Sequence, residues 1–353
     1  MAKKILITGG AGFIGSNYAH YHCDKYSDDK IVVLDKLTYA GNLDNLSDLL
    51  AECGSGLPHE DRFRFVQGDI ADKKFVEALF EAEKFDLVLN FAAETHVDRS
   101  IEEPSVFVMT NVVGTHNLLE AARDTAVARF HQISTDEVYG DLGIGSKDFF
   151  TEETAIKPNC PYAATKASAD LLARSYFETY QMPVTISRCS NNYGPYQFPE
   201  KLIPYFFKLI SEGRQVPVYG DGLNVRDWLY VIDHCRAIDT IVEKGRLGEV
   251  YNVGGNNERT NLEITKILLD FLGKDEKLIT YVNDRRAHDR RYAIDSSKLQ
   301  KELGWKPSVT FKEGIAQTFD WYKEHGEWVR KLTERLVERK HQVISKEPLR
   351  ASR

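Results

Sequence analysis

Short runs of β-branched and aliphatic residues recur through the first half of the chain, separated by longer segments in which apolar residues return at helical spacing. Lys4 to Thr8, Ile31 to Asp35, Phe63 to Gln67, Asp86 to Phe91, Phe130 to Ser134 and Val184 to Arg188 read as strands. Phe75 to Phe80, Val106 to Ala122 and Ala163 to Tyr180 read as helix. Strand runs such as Ile31-Val32-Val33-Leu34 lack polar alternation, which suits strands covered on both faces. The alternation of strand and helix predicts an α/β fold, a doubly wound parallel sheet of Rossmann type.

Beyond about residue 190 the regularity drops, and Gly, Pro and aromatic residues crowd Asn191 to Tyr230. A smaller α/β substrate-binding lobe is expected over 191–230 and 255–330. The first domain, 1–190, is expected to be rejoined at about 231–254 by helix-like Ile232 to Val242 and strand-like Val250 to Val253. Residues 331–353 are highly charged and read as a final amphipathic helix fraying into a tail, to which no function is assigned.

Composition narrows the function classes. With 353 residues, 42% of them hydrophobic, the chain is neither disordered nor fibrous. A chain of this size buries roughly 75% of its unfolded surface and is near the limit for one core. Lys plus Arg number 46 against 53 Asp plus Glu, a net charge of −7, and no basic stripe interrupts this, so nucleic acid is not expected as a partner. Any anionic ligand is left to a few placed cations. The five cysteines include no Cys-x-x-Cys pair, and the histidines, His20 and His22 among them, follow no metal-ligand pattern, so neither a disulfide framework nor a metal site is expected. Lys3 and Lys4 precede an apolar run that Gly9, Gly10, Gly12 and Gly15 interrupt, which reads as a first strand rather than a secretory signal and implies a cytoplasmic protein. No apolar segment approaches the ~18 residues of a membrane span.

Gly9, Gly12 and Gly15 follow the first strand at three-residue intervals and open a helix-patterned segment. Glycine there allows a tight turn, a close backbone approach to a pyrophosphate and helix-on-strand packing, while the helix N-terminus favours negative charge. Asp35 ends the second strand 20 residues beyond Gly15, where a carboxylate accepts adenosine ribose hydroxyls and repels a 2′-phosphate. NAD is therefore the expected cofactor, with Lys36 softening the discrimination against NADP. Asp69, at the end of the third strand, either meets the adenine or caps the next helix.

Tyr162 and Lys166 stand four residues apart at the start of a helix opened by Pro161, which puts them on one face. An ammonium and a positive nicotinamide favour the phenolate, and bringing a phenol from ~10 to near 7 takes roughly 4 kcal/mol. Ser134-Thr135 is followed by Asp136 and Glu137, at the carboxyl end of the fifth strand, the edge where ligands bind in such sheets. Neighbours in a strand point to opposite faces, so both carboxylates reach one substrate only if the chain has already turned; Gly140 allows such a turn. Two adjacent carboxylates in different surroundings hold different protonation states, as acid and base, which is what eliminating water requires.

Six segments together resemble the dTDP-glucose 4,6-dehydratases of the extended short-chain dehydrogenase/reductases: Gly9 to Gly15, Asp35 to Asn42, Ala92 to Ser100, Ser134 to Gly140, the Tyr162/Lys166 pair and Asn191 to Gln197. The similarity spans residues 1 to about 325, and the acidic pair after Ser-Thr is what separates such dehydratases from epimerases. The resemblance implies that Phe13, Ile14, Thr38, Ile70, Ala92 and Ala93 line the NAD site with the glycines, Asp35, Lys36 and Asp69. It implies that Tyr162 takes the 4-hydroxyl proton as hydride leaves C4, with Thr135 bonding that oxygen and Lys166 holding Tyr162 and the nicotinamide ribose. Glu137 then removes the C5 proton, protonated Asp136 donates to the departing 6-hydroxyl, and hydride returns to C6. The product is dTDP-4-keto-6-deoxyglucose, a precursor of 6-deoxyhexoses such as rhamnose.

The same resemblance places Asn191, Lys201, Arg226, Asn261, Arg285 and His288 on the diphosphate and nucleoside. Arg226 alternatively pairs with Asp227, and His288 is equally well a loop histidine beside Asp289 and Arg290. Ala287 stands where the family carries Gly, and Thr95 where Ser is more usual. A dehydratase of UDP-, CDP- or GDP-sugars, a nucleotide-sugar 4-epimerase and a dinucleotide-binding sensor without turnover are the alternatives. Val106 to Ala122 and Ala163 to Tyr180 carry apolar residues on more than one face, which suits a four-helix interface in a C2 homodimer, as the family also forms.

Overall fold

The computed structural model describes residues 2–52, 62–284 and 288–335. Strands β1 (Lys4–Thr8), β2 (Lys30–Asp35), β3 (Phe63–Gln67), β4 (Leu87–Asn90), β5 (Arg129–Thr135) and β6 (Val184–Cys189) stand within one or two residues of where the apolar runs put them. After β7 (Asn191–Tyr193), β8 (Val216–Tyr219) and β9 (Val225–Tyr230), the chain returns through the helix Val231–Lys244 to β10 (Val250–Val253). These build a seven-stranded sheet in the order β10-β6-β5-β4-β1-β2-β3, with every pairing parallel. Strand order reverses between β1 and β4, so the loops leaving their carboxyl ends diverge and open a crevice there.

The missing polar alternation has its cause in this sheet. Leu6, Val32, Leu34, Val88, Phe130 and Ile186 pack on one face beneath Lys73–Glu83, Thr115–Asp124 and Pro161–Tyr180. Ile5, Ile7, Ile31, Val33, Leu87 and Leu89 pack on the other beneath Phe13–Lys25 and Val231–Lys244. Each such fully buried side chain contributes about 1.5–3 kcal/mol relative to exposure.

A second apolar core gathers Tyr193, Ile203, Phe206, Phe207, Trp228, Leu268 and Phe319. It lies among β7, β9 and β11 (Glu258–Thr260), the parallel pair of β8 with β12 (Ile279–Val282), and the helices Leu202–Ser211, Asn261–Phe271 and Phe311–Glu324. A helix over 326–335 adds Trp328 and Leu332 to that core, and Trp328 Nε1 donates to Asn45 Oδ1 at 2.8 Å. The charged C-terminal segment therefore begins as a packed helix; 336–353 lie outside the described residues.

The stretch from Val106 to Ala122 is not one regular helix. Pro104–Phe107 leads into a π-helical turn, Val108–Gly114, before Thr115–Asp124. Asn111 anchors that turn: its side chain accepts from Glu94 N at 2.9 Å and donates to Glu94 O at 3.1 Å and to Thr165 Oγ1 at 2.9 Å. Hydropathy spacing does not register such an inserted residue. Among the described residues no helix is long and apolar enough to cross a membrane, and no cluster of three or more His, Cys, Asp or Glu is placed to hold a metal ion.

Candidate active site

At the carboxyl ends of β1, β2, β4, β5 and β6 a single cleft runs along the sheet edge. Gly9, Gly12, Phe13, Ile14, Gly15, Asp35, Lys36, Thr38, Asp69, Ile70, Ala92 and Ala93 line one end of it. Thr135, Asp136, Glu137, Tyr162 and Lys166 line the same cleft, with Asn191 and Lys201.

The glycine turn is built for close approach. Gly9 has φ +66°, and a Cβ on it would stand 2.6 Å from Ala92 N. A Cβ on Gly15 would stand 2.5 Å from Gly9 O, so the helix Phe13–Lys25 seats on the turn only through hydrogen. Gly12 caps this helix without a side chain, leaving its first amides for a ligand in the cleft. The Asp35 carboxylate accepts Ala11 N at 3.0 Å and Leu37 N at 2.7 Å, one bond to each oxygen, which fixes it at the rim with lone pairs to spare. Turn, helix terminus and oriented carboxylate fit the pyrophosphate and adenosine ribose of a dinucleotide.

Lys36 is committed to Asp69 at 2.6 Å rather than free to attract a 2′-phosphate. Asp69 is not a helix cap either. Asp72 performs that task for Lys73–Glu83 by accepting Phe75 N at 3.1 Å.

At the reacting end, β5 turns immediately after Thr135 into a single 3₁₀ turn, Asp136–Tyr139, and Gly140 leaves it at φ +92°. Thr135 caps the turn by accepting Glu137 N at 3.3 Å. The two carboxylates therefore leave strand geometry and share the cleft, as elimination chemistry requires. Their surroundings differ. Asp136 is fully buried; among the described residues its Oδ2 has no hydrogen-bond partner, and its Oδ1 accepts a long 3.4 Å bond from Thr135. Burial first, then the charges of Glu137 and Asp227, hold its carboxyl far above the ordinary carboxylate range, against a smaller pull from Arg226. Burial thus favours the protonated, acid form of Asp136, whereas Glu137 is only half-buried.

The lowered phenol of Tyr162 is expected with two cations in place, Lys166 and the nicotinamide, of which the protein itself supplies Lys166. Burial, then the charge of Glu137, push the phenol well above its ordinary value in the protein alone, with Thr135 acting the other way. Lys166 Nζ donates to Ile133 O at 2.6 Å, and burial lowers its ammonium while Asp170 and Cys189 raise it. Against the burial of Tyr162, the positive nicotinamide is the further charge that favours the phenolate.

The expected substrate contacts divide. Asn191 and Lys201 are in the cleft wall, where Lys201 lies 3.6 Å from Glu200. Arg226 does not pair with Asp227, whose carboxylate accepts Gly255 N at 2.7 Å and Asn257 N at 2.6 Å on the opposite face of β9. Its guanidinium lies 4.3 Å over the Tyr292 ring and donates to Val225 O and Asp289 O. Asn261 starts the helix Asn261–Phe271, and His288 pairs with Asp284 at 2.6 Å; neither lines the cleft. Arg285 and Ala287 lie outside the described residues. Glu94, buried in the cleft wall, was not singled out by the motifs; burial raises its carboxyl, against Arg99 3.5 Å away.

Comparison with known proteins gives the same picture. The model of a family described as GDP-mannose 4,6 dehydratase matches residues 6–318. A dTDP-glucose 4,6-dehydratase of Xanthomonas campestris pv. campestris is 52% identical over 342 residues, covering 92% of this chain and 94% of the relative. The crystal structure of DesIV, a dTDP-glucose 4,6-dehydratase from Streptomyces venezuelae with NAD and TYD bound, superposes with a TM-score of 0.87 at 47% identity over 93% of this chain and 99% of that one. A UDP-glucose 4-epimerase from Thermotoga maritima, crystallised with UDP-glucose, reaches a TM-score of 0.82 at 30% identity, covering 91% and 99%. The fold is common to both activities, so sequence and site must distinguish them.

Proposed function

The chain belongs to the dTDP-glucose 4,6-dehydratases, and from that premise we propose how its own residues divide the work of the reaction. It is a hydro-lyase that converts dTDP-glucose to dTDP-4-keto-6-deoxyglucose and water with NAD as cofactor. Bound NAD supplies a reversible hydride acceptor and donor for C4 and C6 and is regenerated, so there is no net redox change.

Tyr162 removes the proton of the sugar 4-hydroxyl, and Thr135, in the same cleft wall, bonds and orients that oxygen. Lys166, fixed by Ile133 O, holds an ammonium on the same helix face as Tyr162, and the nicotinamide of bound NAD would add the further positive charge that favours the phenolate. Once C4 is a ketone, the C5 hydrogen is acidic and Glu137 takes it. Asp136 gives its proton to the 6-oxygen, which leaves as water; the C5=C6 bond so formed is reduced at C6 and reprotonated at C5. The observation that carries this assignment is the fully buried Asp136 carboxyl, its Oδ2 without a hydrogen-bond partner among the described residues, beside a less buried Glu137 on one turn. Gly9, Gly12 to Gly15, Asp35, Thr38, Ile70, Ala92 and Ala93 hold the dinucleotide in this proposal, and Asn191, Lys201 and Arg226 hold the diphosphate end.

A single-turnover experiment on Asp136→Asn/Glu137→Gln tests the division of labour. Substrate should be oxidised at C4 while water release fails; water release at the normal rate overturns the assignment.

We also propose a cytoplasmic homodimer. Ile101, Val106, Val108, Met109 and Leu171 are 38–55% exposed on the adjoining helices around Val97–Gly114 and Pro161–Tyr180, an apolar surface suited to a four-helix interface. The domain division proposed is 1–190 with 231–254, against 191–230 with 255–330.

A further inference from the structure

Beneath the cleft, outside its lining, runs a chain of buried polar groups that the reaction as described does not use. Asp170 lies one turn beyond Lys166 on the helix Pro161–Tyr180, and its Oδ2 accepts from Arg188 Nε at 2.9 Å. Both side chains are nearly fully buried. Arg188 Nη1 donates to the Tyr139 hydroxyl at 3.0 Å, and the guanidinium lies 4.9 Å over the Tyr139 ring. The Tyr139 hydroxyl in turn donates to Asn252 Oδ1 at 2.7 Å. Asn252 Nδ2 is tied to Phe150 O at 3.1 Å and Asn252 N to Glu152 Oε1 at 2.8 Å.

What this chain joins is informative. Tyr139 is the last residue of the 3₁₀ turn that carries Asp136 and Glu137, and Asp170 shares a helix face with Lys166 and Tyr162. Arg188, on β6, lies directly between Ser134 of β5 and Asn252 of β10 in the sheet register. A buried ion pair of this kind stabilises little over an apolar substitute, because desolvating both charges offsets their attraction. Its value lies in geometry: broken at any member, it leaves a buried donor or acceptor unpaired, so every member is held in place.

Taking Asp136 and Glu137 as the elimination pair, we propose that Asp170, Arg188, Tyr139 and Asn252 are positioning residues that lock the elimination turn to the helix bearing Tyr162 and Lys166. The two halves of the reaction then act on one sugar without either pair having to move. At its helix end the chain sets Asp170 beside Lys166; at its turn end it fixes the direction in which Asp136 and Glu137 face. Loss at the two ends has different kinetic signatures.

The NAD-loaded, full-length protein is mixed rapidly with dTDP-glucose, and the absorbance of reduced nicotinamide is followed, with NAD affinity and thermal melting measured alongside. Tyr139→Phe removes only the hydroxyl. It should keep KM, NAD affinity and the rate at which reduced nicotinamide appears, yet slow its disappearance roughly tenfold, the size of a lost hydrogen bond to a charged partner. Asp170→Asn should instead slow the appearance of reduced nicotinamide. A Tyr139→Phe time course like that of the unaltered protein, in a variant that melts normally and binds NAD, overturns the proposal. Should Tyr139→Phe fail to fold, an unaltered rate of appearance in Asp170→Asn overturns it instead. Asp136→Asn/Glu137→Gln separates the two levels. If that variant accumulates reduced nicotinamide while Tyr139→Phe does not, only the positioning role is wrong; if it accumulates none, the elimination pair itself is wrong and the positioning role falls with it.

Discussion

Replacing Gly9 by Ala puts a methyl group into the closest backbone approach of the cofactor turn. Two costs arise. At φ +66° an L-residue with a Cβ is disfavoured by about 1–2 kcal/mol. The added Cβ would also meet Ala92 N at 2.6 Å, Ala92 Cα at 2.7 Å and Phe91 C at 2.8 Å, all backbone, so no rotamer change relieves it. Ordinary contact begins at 3.4 Å, and the strand-to-loop junction must open by about 0.8 Å to reach it; overpacking of this kind costs about 1–3 kcal/mol. The sum is about 2–5 kcal/mol, shared between lost stability and lost NAD affinity, where each 1.36 kcal/mol is a tenfold change. Gly273→Ala is the matched control, because Gly273 has nearly the same φ, +63°, and among the described residues nothing lies within 4 Å of where its Cβ would stand. It should cost only the conformational 1–2 kcal/mol and leave NAD affinity alone. Equilibrium denaturation with and without NAD, together with an NAD titration, measures each part. If Gly9→Ala behaves as Gly273→Ala in both stability and NAD affinity, the tight-approach argument is refuted.

Asp136→Asn should separate stability from activity. In the folded chain the Asp136 carboxyl is raised by burial, then by Glu137 and Asp227, whereas in the unfolded chain it ionises near pH 3.9. Below that pH both states are protonated and the group contributes nothing; as pH rises above it, only the unfolded state gains by ionising, so stability is lost. Asparagine does not ionise, so the variant should gain in melting temperature relative to the parent as pH is raised above about 4, while turnover falls about 10²–10⁴-fold; a difference that does not change with pH contradicts the buried acid. Leu171→Lys, at a site 55% exposed, should yield a monomeric mass by light scattering if the apolar helix surface is the dimer interface.

How far the sequence reaches is visible in particular residues. The cofactor turn and most of the six strands were legible because strands buried on both faces and glycines required by close contact leave composition signals that survive in one dimension; β3, at the sheet edge and partly exposed, was legible from its β-branched and aromatic residues alone. The Asp-Glu pair was legible too, but whether its carboxylates converge depends on a four-residue turn that no spacing rule specifies. The π-helical turn at Val108–Gly114 escaped because its cause, Asn111 bonding across to Glu94 and Thr165, is tertiary. Asp69 and Asp72 are equally good caps on paper; the structure gives the cap to Asp72 and pairs Asp69 with Lys36. Arg188 and Asp170 sit in segments read simply as strand and helix, and their pairing over 18 residues is set by how that helix lies on the sheet.

The most direct test of the account is the mass of the sugar nucleotide recovered after the NAD-loaded protein is incubated with dTDP-glucose, beside UDP-, CDP- and GDP-glucose. dTDP-glucose should be converted to a product lighter by one water, with no net reduced nicotinamide. Recovery of an isomer of unchanged mass, or of untouched dTDP-glucose while another nucleotide sugar loses water, would contradict it.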